Sequence, residues 1–198
     1  MLLIRNDVNF KNLALNQYNN GKLELHGIVV SSALGEISIL NIYNPSENVT
    51  LDEILHYMDQ LGNSFVMVGD YNAHSPLWDR RGRSNFTGRT LEQAMNVSNM
   101  QLLNDDTPTY IDRKHSTTSC LDLCFLSPNL HRTGEMMRGP DVASDHFPMY
   151  IKLGIKLKKQ EMKTCQKWNL KKANWDQWRS EIEGQRRNWR LDQLMLIL

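Results

Sequence analysis

Phe65-Val66-Met67-Val68-Gly69-Asp70-Tyr71-Asn72-Ala73-His74 is the stretch on which the reading of the fold turns. Four apolar residues in a row, two of them β-branched, predict a short strand buried on both faces. That strand ends abruptly in Gly69-Asp70-Tyr71-Asn72. Just upstream, Thr50-Leu51-Asp52-Glu53 has the form of a capping box, with the Thr hydroxyl taking an orphan amide and the Glu reaching back to the cap. Leu51, Ile54, Leu55, Met58 and Leu61 then recur at helical spacing, and Gly62 is a natural terminator. Further back, alternation predicts strands at Lys22–Ser31 and Glu36–Tyr43. Asn20-Gly21 predicts a hairpin joining a strand over Leu13–Tyr18 to the next one.

Downstream of the buried strand, a polar, Arg-rich loop covers Ser75–Thr87. A helix is expected over Arg89–Ser98, with Leu91, Ala94 and Met95 facing inward. Short strands are expected at Leu102–Leu103, Thr109–Ile111, Cys120–Leu126 and Phe147–Leu153. Strands alternate with helices at first and then dominate, so the chain reads as a layered α/β protein rather than a bundle or a sandwich. No internal repeat is visible.

Composition agrees with a folded chain: of 198 residues, 40% are hydrophobic and 23% charged, with 11 Gly and 6 Pro, which excludes disorder and collagen-like repeats. No window approaches the ~18 apolar residues of a membrane span, and Leu194–Leu198 is far too short. The N-terminus lacks the basic start and cleavage site of a signal peptide, so an intracellular protein without a membrane partner is expected. Three Cys do not make a disulfide framework. Cys120 and Cys124, four apart in one expected strand, would lie on one face roughly 13 Å apart, as buried or inert thiols that cannot bridge.

The net charge of +1 conceals a division. Residues 1–155 hold 12 Lys and Arg against 17 Asp and Glu, whereas residues 156–198 hold 11 against 5 and four of the five Trp. A domain over 1–155 and a basic, Trp-rich extension over 156–198 are expected. The extension could approach a polyanion, or could be a solvated linker and helix.

Three constellations sit at strand ends, where α/β proteins place their sites. Asp70 and Asn72 are two apart, so in extended backbone both side chains project to one side. A carboxylate there can hold a hard metal ion or deprotonate water, with the amide donating to a phosphate oxygen; equally, the pair could cap the strand as an Asx turn. Ser144-Asp145-His146 opens the final strand, either as a metal-and-substrate pair or as a surface turn. Asp122 interrupts an apolar strand: it needs a partner such as a neighbouring histidine, unless it faces water from an edge.

Taken together these segments resemble the endonuclease/exonuclease/phosphatase superfamily, which includes the apurinic endonuclease-like enzymes. Within it they are most similar to the endonuclease domain of jockey-type non-LTR retrotransposons. The resemblance rests on Asn41-Ile42-Tyr43-Asn44-Pro45-Ser46, on residues 69–78 (GDYNAHSPLW) and on Gly88-Arg89-Thr90-Leu91-Glu92. It continues through Leu103-Asn104-Asp105-Asp106-Thr107-Pro108-Thr109, Ser119-Cys120-Leu121-Asp122-Leu123 and Ser144-Asp145-His146, in the superfamily's order over roughly residues 1–155. Residues 167–175 resemble the connector leading toward the reverse transcriptase of those elements.

The resemblance implies a four-layer sandwich of two mixed β-sheets flanked by helices. The superfamily's opening Asn strand and its Gln-Glu motif are not found, so a chain lacking its N-terminal strands is expected, with impaired activity. It implies metal-dependent hydrolysis of a DNA phosphodiester, with Mg²⁺ or Mn²⁺ as cofactor. Asp70 would deprotonate or orient the attacking water, and Asn72 would hold its surroundings and a phosphate oxygen. His146, aligned by Asp122, would donate to the phosphate, joined by the Tyr43 hydroxyl, while Asp145 would contribute to the metal site. Arg80, Arg81, Arg83 and Arg89 could meet the DNA backbone, or form a solvated loop. His26, His56, His74, His115 and His131 are left as structural or surface residues. DNA is the expected partner, element RNA would be met through a polymerase portion, and the nucleus would be the place of action. Two other readings stay open: a relic that only binds nucleic acid through its basic extension, and a phosphoesterase with another substrate.

Overall fold

The structure is a computed structural model describing residues 2–46, 48–80, 82–158, 174–177 and 180. The chain divides into two units, Met1–Glu161 and Met162–Leu198, and the site lies in the first. Most of the basic, Trp-rich extension read from the sequence lies outside the described residues.

In chain order the elements are β1 (Phe10–Asn12), β2 (Glu24–Ser32), β3 (Gly35–Tyr43), α1 (Leu51–Met58), β4 (Phe65–Asp70), α2 (Phe86–Val97), β5 (Gln101–Leu102), β6 (Tyr110–Asp112), β7 (Thr117–Ser119), β8 (Asp122–Leu126), α3 (Pro128–His131), β9 (Gly134–Arg138) and β10 (Met149–Leu153). A six-stranded mixed sheet runs β1-β2-β3-β4-β8-β5, with β3 and β4 parallel and their neighbours antiparallel. β9–β10 and β6–β7 form two further two-stranded sheets.

Strand parity sorts the core into two faces. Leu40, Ile42, Phe65, Met67, Leu123 and Phe125 pack with Ile54 and Tyr57 of α1 and Leu91 and Ala94 of α2. On the opposite face Ile28, Val30, Ile37, Val66, Cys124 and Leu126 pack with Met136 of β9 and Ile151 and Leu153 of β10. This is the mixed-sheet α/β arrangement with a helical layer that the sequence predicted. The β4 segment is apolar at every position from Phe65 to Val68 because both of its faces are covered.

Several local expectations are corrected. Thr50 caps α1, its hydroxyl accepting the Glu53 N–H at 3.3 Å, but Glu53 does not reach back to the cap. Its buried carboxylate turns across and accepts the Lys22 N–H at 2.7 Å and the Leu23 N–H at 3.1 Å. Leu13–Tyr18 is not a strand: after the Leu13 N–H, which reaches the Gly27 carbonyl of β2, the amides turn to α1 and the turn behind it, Asn16 N–H to Gln60 Oε1 and Tyr18 N–H to the Tyr57 hydroxyl. Asn20 does turn the chain, with φ at +57°, but within the long connection between the antiparallel β1 and β2 rather than in a tight hairpin. α2 starts three residues earlier than expected, at Phe86, since Asn85 supplies its N-cap. Cys120 and Cys124 do not share a face: the chain leaves strand geometry before Asp122, and the two thiols enter opposite cores. Burial pushes both up to about 12, so they are inert as expected.

Candidate active site

The same parity places the polar ends of three strands together. Tyr43 on β3 is in register with Asp70 on β4, and Asp70 with Asp122 on β8, so the three side chains form one row across the sheet. The row lies on the face toward β9 and β10, where Ile39, Val68 and Cys124 are the last apolar residues before it. Glu24 on β2 continues the row beyond Tyr43.

Reaching the carboxyl end of β4 requires Gly69. With φ at +148° it has a backbone few side chains adopt, and a Cβ there would collide with the Ile42 carbonyl oxygen. Asn72 follows in the left-handed region, φ +46°, so it does not continue an extended strand as two-residue spacing suggested. Its N–H donates to Asp70 Oδ1 at 2.9 Å in an Asx turn, and its Nδ2 donates to the Asn44 carbonyl at 2.9 Å. Asn44 in turn donates from Nδ2 to the Tyr71 carbonyl at 2.7 Å.

His146 arrives from the segment before β10. Its Nδ1 lies 2.8 Å from Asp122 Oδ2, and since an ionised carboxylate only accepts, Nδ1 carries the hydrogen. Asp122, the first residue of β8, thus finds the histidine partner its part-buried carboxylate needs. Nε2 points toward Asp70, 4.0 Å from Oδ2, too far for a hydrogen bond. An oxygen ~2.8 Å from both atoms would subtend about 91° between them, the room a single water or phosphate oxygen occupies. The ring is held edge-on against Tyr110, with centroids 5.1 Å apart. Residues 145–147 run beside β6, through Ile111 N–H to the Asp145 carbonyl and Phe147 N–H to the Thr109 carbonyl, each 2.8 Å.

The carboxylate row is fixed from behind by residues to which the sequence reading assigned no role. The buried Thr109 hydroxyl accepts both the Leu121 and Asp122 amides at 2.9 Å. Asn104 donates to the Asp122 carbonyl at 2.9 Å and accepts the Cys124 amide at 2.8 Å. Their only signal was membership of the Asn104–Thr109 motif run.

Charge at the site follows from this packing. Partial burial raises the Asp70 carboxyl above its usual range; the Asn72 N–H opposes that, the Asp122 charge adds to it, and His146 opposes it. For His146 partial burial disfavours the charged ring, but the hydrogen bond and charge of Asp122, then the charges of Asp70 and Asp145, outweigh it and raise the imidazole.

Tyr43 is exposed at the row, and Asp145 is exposed, its Oδ1 accepting the Ser144 hydroxyl at 3.3 Å. Arg80 is exposed and 3.4 Å from Asp106, Arg83 is exposed, and Arg89 donates to the Ser84 carbonyl at 2.8 Å. Arg81 lies outside the described residues. A hard divalent cation takes about six oxygen ligands. Among the described residues no group of three or more His, Cys, Asp or Glu converges to hold a metal ion. Asp122 is engaged by His146, and one oxygen of Asp70 by Asn72. These donors do not by themselves fit a metal ion.

The profile of a family described as endonuclease-reverse transcriptase matches residues 37–150, a span that contains Tyr43, Asp70, Asn72, Asp122 and His146. This chain belongs to the endonuclease-reverse transcriptase family. It is 28% identical over 174 residues to a probable RNA-directed DNA polymerase from transposon X-element of Drosophila melanogaster. That match covers 85% of this chain and 19% of the relative, so the chain spans about a fifth of the relative's length. Among solved structures, the endonuclease domain of TRAS1, a telomere-specific non-LTR retrotransposon, superposes with a TM-score of 0.58 at 21% identity, covering 77% of this chain and 69% of that one. The fold is therefore shared. The 3'-5' exonuclease NExo of Neisseria meningitidis superposes with a TM-score of 0.47 at 11% identity, over 64% of each chain.

Proposed function

We propose that this chain is the endonuclease part of a non-LTR retrotransposon and hydrolyses phosphodiester bonds of DNA. The observation that carries the reading is the His146 ring, held on Asp122 at one nitrogen and facing Asp70 with the other across a gap the size of one oxygen. In this reading Asp70 Oδ2 takes the proton of a water whose oxygen forms the new bond to phosphorus, as the bond to the leaving oxygen breaks. Burial raises the Asp70 carboxyl, which makes its carboxylate a better base. His146, its charged form favoured, donates from Nε2 to a non-bridging phosphate oxygen as negative charge accumulates there. Tyr43 and the second amide hydrogen of Asn72 supply further donors at the same edge. Arg80, Arg83 and Arg89 are proposed to meet neighbouring phosphates, which would make binding fall with salt. Asp145 is proposed as a ligand to a divalent ion completed by groups beyond this side-chain set. Chromosomal DNA as target would put the action in the nucleus.

The test is nicking of supercoiled plasmid in Mg²⁺ or Mn²⁺ buffer by the chain and by His146→Ala. Nicking that His146→Ala reduces by at least a hundredfold supports the reading. Salt-sensitive binding with no cleavage in either metal would replace it with the relic that only binds nucleic acid.

A further inference from the structure

The loop between β4 and α2 returns to the site through one side chain. Asn85 Oδ1 accepts the Gly88 N–H at 2.8 Å, capping α2, and also the His74 N–H at 3.0 Å. Its Nδ2 donates to the Asn72 carbonyl at 2.7 Å. Its own N–H donates to the His74 carbonyl at 3.1 Å. Two donors on one side and an acceptor on the other leave only one orientation for the amide. Gly88 is part of the same joint, because a Cβ there would collide with the His74 carbonyl oxygen and push α2 off the loop. The far side of the loop is tied to α2 by Glu92, which accepts the Ser75 hydroxyl at 2.5 Å and the Ser84 hydroxyl at 3.2 Å.

We infer that Asn85 is a positioning residue for the hydrolytic reaction: its amide holds Asn72 in the left-handed turn that aims the Asp70 carboxylate at the His146 ring. The inference rests on the nuclease reading above. A helix cap needs only the oxygen of this side chain. The nitrogen goes instead to the carbonyl of residue 72, whose own N–H fixes Asp70 Oδ1. Asparagine tolerates the left-handed backbone of position 72, and hydrogen bonds to its N–H, side chain and carbonyl fix the turn there. Asn44 holds the Asn72 side chain and Asn85 holds its carbonyl. The capping and positioning roles are therefore separable on one residue.

Asn85→Asp keeps an acceptor for Gly88 and His74 and replaces the donor with an oxygen facing the Asn72 carbonyl. Asn85→Ser keeps a capping oxygen, adds no charge and also lacks that donor. Both variants are compared with the wild-type chain in thermal melting, in plasmid nicking, and in hydrogen exchange of the Asn72 amide followed by NMR. The expected result is an Asn72 amide that exchanges at least tenfold faster in both, with each chain still folded at the assay temperature by its Tm. kcat should fall roughly 10- to 100-fold, as for a misplacement of about an ångström, with KM for DNA within about threefold. Unchanged Asn72 exchange with unchanged kcat overturns the inference. So does a loss of activity that tracks loss of Tm while Asn72 exchange stays as in the wild type. If the wild-type chain does not nick DNA at all, the nuclease reading fails on its own, and the Asn72 exchange alone decides whether Asn85 positions that turn.

Discussion

Replacing Asp122 by Asn tests the centre of the proposed chemistry. The carboxylate receives the His146 Nδ1–H at 2.8 Å, and both side chains are only partly exposed, 23% and 34%. A hydrogen bond to a charged partner in such a setting contributes about 1.5–3 kcal/mol. If that stabilisation is realised when His146 is an imidazolium donating to phosphate, its loss lowers kcat/KM roughly 10- to 150-fold. The sign of the pH effect follows from the raised His146 pKa. The charged ring favours the folded state below the unfolded pKa of 6.5, and that contribution is lost as pH rises through the higher folded value. In Asp122→Asn burial remains as the cause that lowers the imidazole, with Asp70 and Asp145 still raising it, so the midpoint must fall. The alkaline limb of the nicking profile should move to lower pH with it. The assay pairs an NMR titration of the His146 ring with plasmid nicking between pH 5 and 9. An unchanged or higher midpoint in a folded Asp122→Asn chain would refute the reasoning, as would undiminished nicking.

Asp70→Asn should abolish nicking yet raise Tm at pH 7. Burial raises the Asp70 carboxyl, which means the ionised form costs folded-state stability at neutral pH. That gain, read by thermal melting, should shrink as pH falls toward 3.8. Glu53→Ala leaves the buried Leu23 amide and the part-buried Lys22 amide without their acceptor, at a cost of about 2–3 kcal/mol by urea denaturation, whereas Glu53→Gln, which keeps an acceptor oxygen, should cost about 1 kcal/mol.

Periodicity and capping determined much of this protein by themselves. The doubly apolar Phe65–Val68 strand, the Thr50 cap and the alternation over Glu36–Tyr43 are local signals, because each reflects how one segment divides between core and solvent. The strand-end motifs, through their resemblance to a superfamily, also singled out Tyr43, Asp70, Asn72, Asp122 and His146. Whether Asp122 faced water or a histidine was open in one dimension, since the answer depends on which strand lies beside β8 and on where the segment before β10 returns. The sheet order β3-β4-β8 set Tyr43, Asp70 and Asp122 in one register row, and the return of residues 145–147 beside β6 brought His146 to Asp122. β9 carries only the short run Gly134–Arg138 and was not foreseen, because its strand character comes from pairing with β10. Glu53 was misassigned for the same reason: a capping-box glutamate and one reaching across to Lys22 share a sequence signature, and only the approach of the Gly21–Leu23 segment to α1 selects between them. The roles of Asn44, Asn85, Asn104 and Thr109 belong to tertiary structure alone. A side chain that hydrogen-bonds the backbone of another element leaves no periodic trace, and its partner exists only once the chain has folded.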